Sequence, residues 1–121
     1  MNSFELKYSY DYEHDLIYMV IKKKFNYRES IDLDYGIILD FDENYIPVAF
    51  EIFSPSKRFN VDKKYLIDPE IEVYISANND LIRTEIKFTF TNHSKTEVVS
   101  IKNKIANNYN TPKMETVLAT I

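Results

Sequence analysis

Asp40, Asp42 and Asn44 fall at alternate positions of Asp40-Phe41-Asp42-Glu43-Asn44, and Glu51 stands twelfth in the same count. That is the ligand rhythm of a calcium loop, in which hard oxygen donors surround a hard cation. The context argues the other way. The sixth position is Tyr45 rather than glycine, Pro47 interrupts the loop, and the flanking residues have the pattern of strands rather than helices. An acidic turn on the solvent side of a sheet is therefore the favoured reading. A metal site formed by Asp40, Asp42, Asn44 and Glu51 is the alternative.

Other chemistry-bearing residues are weaker signals. Asp32, Asp34, Asp40 and Asp42 share one strand face if the register holds past Gly36, and with Tyr45 they make a candidate binding surface for a basic partner. The same charges would protect an exposed edge against aggregation. Lys22-Lys23-Lys24, Lys57-Arg58 and Lys63-Lys64, interleaved with Phe25, Tyr27, Phe59 and Tyr65, could converge on nucleic acid. His14 and His93 are the only histidines and fall in separate turns, with Asp11, Glu13 and Asp15 beside the first. A histidine base needs a positioned partner and a nucleophile to serve, and no nucleophile motif, Walker loop or dinucleotide fingerprint is present. No catalytic residue and no cofactor is assigned.

These residues must be positioned by strands. Ile31, Leu33, Tyr35, Ile37, Leu39 and Phe41 alternate with mostly polar residues, the period of a half-buried strand. The spacing predicts one long strand bent at Gly36, an acidic turn at Asp42-Glu43-Asn44, and a return strand through Ile46, Val48, Phe50 and Ile52. Phe4 to Tyr10 alternates ahead of it, and the apolar run Leu16 to Ile21 reads as a central strand buried on both faces. Ser54-Pro55 has the form of an N-cap followed by proline at the first helical position, with a second cap at Asp62. One short helical segment is thus expected near 55–66, and Asp68-Pro69 breaks the chain after it. Beyond that point Ile71 to Ile75, Ile82 to Phe90, Thr96 to Ile101 and Met114 to Ile121 read as strands, with turns at Asn78-Asn79-Asp80 and Asn92-His93-Ser94-Lys95.

Composition sets the outer limits. The 121 residues are 45% hydrophobic, enough for a core without staples, and contain no cysteine, which excludes disulfides and thiolate chemistry. Net charge is −4, so nucleic acid is disfavoured as a partner. The longest apolar run is too short to span a bilayer, and the N-terminus lacks signal-peptide character; a cytoplasmic protein without a membrane partner is expected. Ten tyrosines and eight phenylalanines are a large aromatic load; Phe88 and Phe90 suit the core, while Tyr12, Tyr45, Tyr74 and Tyr109 fall in turns or on polar faces.

Three segments carry a family resemblance: Tyr10 to Tyr18, Gly36 to Asn44, and Phe50 to Arg58. Their order and spacing resemble the prokaryotic family catalogued as domain of unknown function 2283, over about residues 8–59 with 70–121 outside it. The chain departs from that pattern at Tyr45 and Ala49, where the family favours glycine. The family has no defining catalytic motif. Some members occur beside small toxin-like genes, and for this chain the resemblance thereby implies a protein partner.

The expectation is a mainly β protein (α+β if the helix packs on a sheet), with antiparallel sheets built from hairpins. Residues 1–68 would form the family-like module and 69–121 a β-meander extension able to pack with it as one domain. The expected role is a non-catalytic interaction module, binding itself as a homo-oligomer or another protein through a sheet edge or the acidic, tyrosine-bearing face. A small-ligand or cation-binding protein using residues 40–44 is the alternative.

Overall fold

The computed structural model describes residues 2–92 and 94–120; His93 lies outside them. Alternation is realised as nine strands: β1 (Asn2–Asp11), β2 (Leu16–Ile21), β3 (Tyr27–Asp32), β4 (Ile37–Asp42), β5 (Pro47–Phe53), β6 (Glu70–Ala77), β7 (Leu81–Asn92), β8 (Lys95–Ala106) and β9 (Met114–Ala119). Between β5 and β6 lie a one-turn helix α1 (Pro55–Phe59) and a 3-10 turn (Lys63–Leu66). The protein is mainly β.

The strands form one sheet in the order β3-β4-β5-β2-β1-β9-β6-β7-β8. All neighbours are antiparallel except β1 and β9, which pair in parallel from Asn2↔Thr116 to Glu5↔Ala119. This ladder joins the family-like segment to the C-terminal strands. The sheet is strongly curled. Phe41 on β4 lies four places from β9, about 19 Å in a flat sheet. Yet its ring centroid is 5.0 Å from that of Tyr109, in the loop leading into β9. The concave face is filled by one cluster that includes Leu6, Ile17, Met19, Leu39, Phe50, Val73, Ile86, Phe88 and Leu118. Phe59 of α1 packs on Phe88 and Tyr65 of the 3-10 turn stacks on Phe90, so the short helical segment caps the same interior.

Three sequence expectations are corrected. The alternating run from Ser30 to Phe41 is two strands, not one bent strand. Tyr35 and Gly36 both take positive φ (39° and 105°), and the chain reverses between β3 and β4. The pairs Ser30↔Asp40, Ile31↔Leu39 and Asp32↔Ile38 match even with even and odd with odd, so the period of two runs on through the turn. A turn of this parity is invisible to a periodicity argument. Next, β2 is buried on one face only, through Ile17 and Met19, with Tyr18 exposed between them. Last, Ser54 stands at the N-cap position without capping through its side chain: its backbone is left-handed (φ 53°) and the hydroxyl makes no capping bond. Asp62 does cap, accepting from the Lys64 amide at 3.1 Å.

Candidate functional site

Chain reversal at β3–β4 decides where the carboxylates go. Asp32 is exposed at the end of β3, where both oxygens accept from the Gly36 amide at 3.2 and 3.3 Å. Asp34 sits in the turn, 3.9 Å from the Arg58 guanidinium. Arg58 donates to the Tyr35 carbonyl at 2.6 Å, tying the turn to α1. Asp40 and Asp42 lie on β4. The four do not form one strand row: Asp32 and Asp40 reach the same sheet face from adjacent strands, and Asp34 is held apart in the loop.

Asp40 is buried, and its Oδ1 accepts from the Ser30 hydroxyl at 2.5 Å. Across the same face, Glu51 on β5 stands between Ile38 and Tyr18. Its burial, and then the charge of Asp40, raise the Glu51 pKa above the usual value. Burial and the two carboxylates likewise push the Tyr18 phenol up. Asp42 acts locally, its Oδ1 accepting from the amides of Asn44 (2.8 Å) and Ile46 (2.9 Å) to close the β4–β5 turn. Asn44 is exposed. Among the described residues no group of three or more Asp, Glu or His side chains is arranged to hold a metal.

Tyr45 supplies the left-handed residue of that turn, with φ 56°. This is the position where the resemblance favours glycine, whose lack of a Cβ suits positive φ. Tyr45 tolerates it because its ring is held by three neighbours. Arg28 lies over it at 4.4 Å, and the Phe41 and Tyr109 centroids are 5.6 and 5.9 Å away. Its carbonyl accepts from the Thr111 hydroxyl at 2.7 Å. Tyr45 and Tyr109 are therefore packed together, whereas Tyr35 (94% exposed), Tyr27 and Tyr12 are open to solvent.

The basic residues disperse. Lys22 pairs with Glu5 at 2.8 Å, Lys63 donates to the Tyr12 carbonyl at 2.9 Å, and Lys23 lies over Phe4. His14 is exposed on the β1–β2 turn, with Nδ1 2.8 Å from Asp11. Backbone and side-chain bonds from His14 hold the Asp11 carboxyl below its usual value.

Sequence reasoning missed Asp15. It is buried, takes φ 52°, accepts from the Tyr10 hydroxyl and the Ser56 hydroxyl (both 2.6 Å), and receives the Ser56 amide at 3.3 Å. Burial works to raise its pKa, but the Ser56 and Tyr10 bonds outweigh it and the carboxyl titrates below the usual value. The Ser54 amide donates to the Asp15 carbonyl at 2.9 Å, so the β1–β2 turn, and not the Ser54 side chain, anchors the start of α1. The run Asp11 to Asp15 holds three acids, and no spacing argument could say which one turned inward.

Two free strand edges complete the surface: β3 and β8 end the sheet order. The β3 edge is six residues long, acidic at Glu29 and Asp32, with a register shift between Tyr27 and Glu29. The β8 edge is twelve residues long and pairs with β7 without a shift, from Leu81↔Ala106 to Asn92↔Lys95. No helix among the described residues is long and apolar enough to cross a membrane.

Fold and surface together define a curled, single-sheet β protein whose β1–β5 segment is closed by acid-held turns. The chain belongs to the family described as protein of unknown function (DUF2283), whose model matches residues 7–56. It is similar to a Methanosarcina mazei protein provisionally named hypoxanthine phosphoribosyltransferase, 39% identical over 94 residues, covering 77% of this chain and 75% of the relative. It is also similar to an uncharacterized protein of Methanocaldococcus jannaschii, 41% identical over 85 residues, covering 69% and 72%. No solved structure matches the chain.

Proposed function

We propose that this chain is a non-catalytic protein-interaction module that engages its partner through a sheet edge. One observation carries the reading: the curled sheet leaves β8 as a long, unshifted terminal strand. Alternate N–H and C=O groups of such a strand point away from the sheet. Of the usual devices that blunt an edge, β8 has neither shortening nor a bulge, and its charges, Lys95, Glu97, Lys102 and Lys104, flank an uncharged centre from Val98 to Ile101. Strand addition there takes affinity from main-chain hydrogen bonds and specificity from alternate side chains. A cytoplasmic setting belongs to the same reading.

A second surface is favoured for a basic partner, including one of the toxin type. Asp32, Asp34 and Tyr35 are exposed around the β3–β4 turn, a face that is acidic and carries one open aromatic ring. Binding there should weaken as salt screens the charges. The cation reading draws less support, because Asp42 is committed to two backbone amides and Asp40 to Ser30. The name of the Methanosarcina relative points to phosphoribosyl transfer, which must hold phosphate groups. The single glycine, Gly36, gives that reading no support, since its amide is already bonded to the Asp32 carboxylate.

The test is a tagged pull-down from a lysate of the native host at low and high salt, read by mass spectrometry. A stoichiometric protein that survives salt fits the edge, and one lost at high salt fits the acidic face. A chain that retains nothing and does not self-associate sinks the interaction reading. Titration calorimetry with calcium on wild type and Asp42→Ala separates the cation alternative.

A further inference from the structure

We infer that the partner of the β8 edge is a second copy of this chain, paired antiparallel about a twofold axis through Ser100; this rests on the edge-binding reading above. The sequence of β8 is self-complementary in one register. Its odd residues Val99, Ile101 and Ile105 face the interior and pack partly buried against the core, while Thr96, Val98, Ser100, Lys102 and Lys104 face outward. Residues opposite each other in an antiparallel pair share a face, so even must meet even. Centring on Ser100 sets Val99 opposite Ile101 of the second copy and Ile101 opposite its Val99. The interior clusters then continue across the junction.

Charges fit the same register. Glu97 meets Asn103, Lys102 meets Val98, Lys104 meets Thr96 and Lys95 meets Ile105, so no like charges oppose each other, an arrangement that would be destabilising. Moving the axis by one residue either way, to Val99 or Ile101, places Glu97 opposite an isoleucine and separates Val99 from Ile101. The uncharged stretch Val98 to Ile101 lies at the centre, and Val98 is 58% exposed in the single chain. The β3 edge offers no equivalent, being half as long, acidic and shifted in register. A twofold edge pairing closes on itself and produces a dimer, not a fibre.

Cysteine cross-linking tests this cleanly, because the chain has no cysteine of its own. In Ser100→Cys the two thiols would sit on the axis, with Cα atoms about 4.5–5.5 Å apart, within disulfide reach. In Lys104→Cys the two copies would lie about 26 Å apart along the strands. We expect Ser100→Cys to form a disulfide dimer at least ~10-fold faster than Lys104→Cys alone, by the proximity argument. A mixture of Thr96→Cys and Lys104→Cys chains should cross-link to each other. Light scattering on the wild type should show a dimer that dissociates on dilution. Equal rates for Ser100→Cys and Lys104→Cys overturn the register and the axis. A wild type monomeric at hundreds of micromolar overturns self-pairing; if it still retains a protein in the pull-down, the broader interaction reading stands. A dimer that cross-links only through positions outside β8 overturns both.

Discussion

The two ends of the sheet are built by different means. At the β3–β4–β5 end, strands are short and the chain reverses through residues at positive φ: Tyr35, Gly36 and Tyr45, with Asp15 and Ser54 close behind. Carboxylates hold these turns by accepting backbone amides: Asp32 from Gly36, Asp42 from Asn44 and Ile46, Asp15 from Ser56. At the β6–β7–β8 end, long strands run in unbroken register and the pattern of alternate apolar residues carries the structure. The second end also has polar turns, with Asn78 Oδ1 accepting from the Asp80 and Leu81 amides and Ser94 at φ 64°, but its long strands rest on the repeated pattern, whereas carboxylates carry the turns of the first. The first should fail when a turn-holding carboxylate is removed, while single changes on the strands themselves should be tolerated or bring a gain.

Asp15→Ala should have the largest effect. It strips the Tyr10 and Ser56 hydroxyls of a buried charged acceptor, a loss of about 3 kcal/mol readable as a fall in urea midpoint with unchanged slope. The pH dependence follows in sign. Because the folded carboxyl titrates below its unfolded value, its contribution is fully present above the ordinary aspartate range and is lost as pH falls through the folded value. The gap between wild type and Asp15→Ala should therefore close in acid. A gap that is constant with pH would mean that the site acts through packing alone.

Gly36→Ala comes next, at about 1–2 kcal/mol. The new Cβ would lie 3.4 Å from the Phe53 Cβ, ordinary contact, so the cost is the backbone's φ of 105° and not crowding. A neutral result in thermal melts would show that the turn relaxes to another form, which would weaken the contrast between the two ends.

Thr84→Val probes the other end and should go the opposite way. The Thr84 hydroxyl is buried on the interior face of β7 without a hydrogen-bond partner. Replacing it by an isosteric methyl should gain about 1 kcal/mol, the cost of an unmet buried polar group. A loss would reveal that the hydroxyl serves something other than the pattern.

Glu51→Gln should have the smallest effect, a gain of roughly 0.2–1 kcal/mol on the scale of a relieved cross-strand pair. The Glu51 carboxyl is raised by burial and by Asp40, so its charge opposes folding above its folded pKa and not below its unfolded one. The gain should appear at neutral pH and vanish in acid. Denaturant midpoints at the two pH values would decide it.

The legibility of the chain is uneven between the two ends, for physical reasons. The strands of the C-terminal end could be read directly, because Ile71-Val73-Ile75 and Ile82-Ile86-Phe88 obey the period that a one-sided sheet imposes. The β3–β4 reversal could not, because a turn that pairs even with even leaves the period intact. Periodicity reports which face a residue takes and is blind to direction. The acidic turn at Asp42 could be read from its residues. Its stabilising ring contacts from Arg28 and Tyr109 could not, since they join positions far apart in the chain.

Local alternation, turn chemistry and spacing were enough to establish the class of fold, the placement of most strands, the helical segment after Pro55 and the family of the first half. Long-range packing chose which of Asp11, Glu13 and Asp15 turned inward, how β1 and β9 meet in parallel, and which strand was left as the open edge. Those outcomes depend on contacts between distant segments. Their free energies arise only when the sheet curls and sets residues such as Asp15 and Ser56, 41 positions apart, side by side.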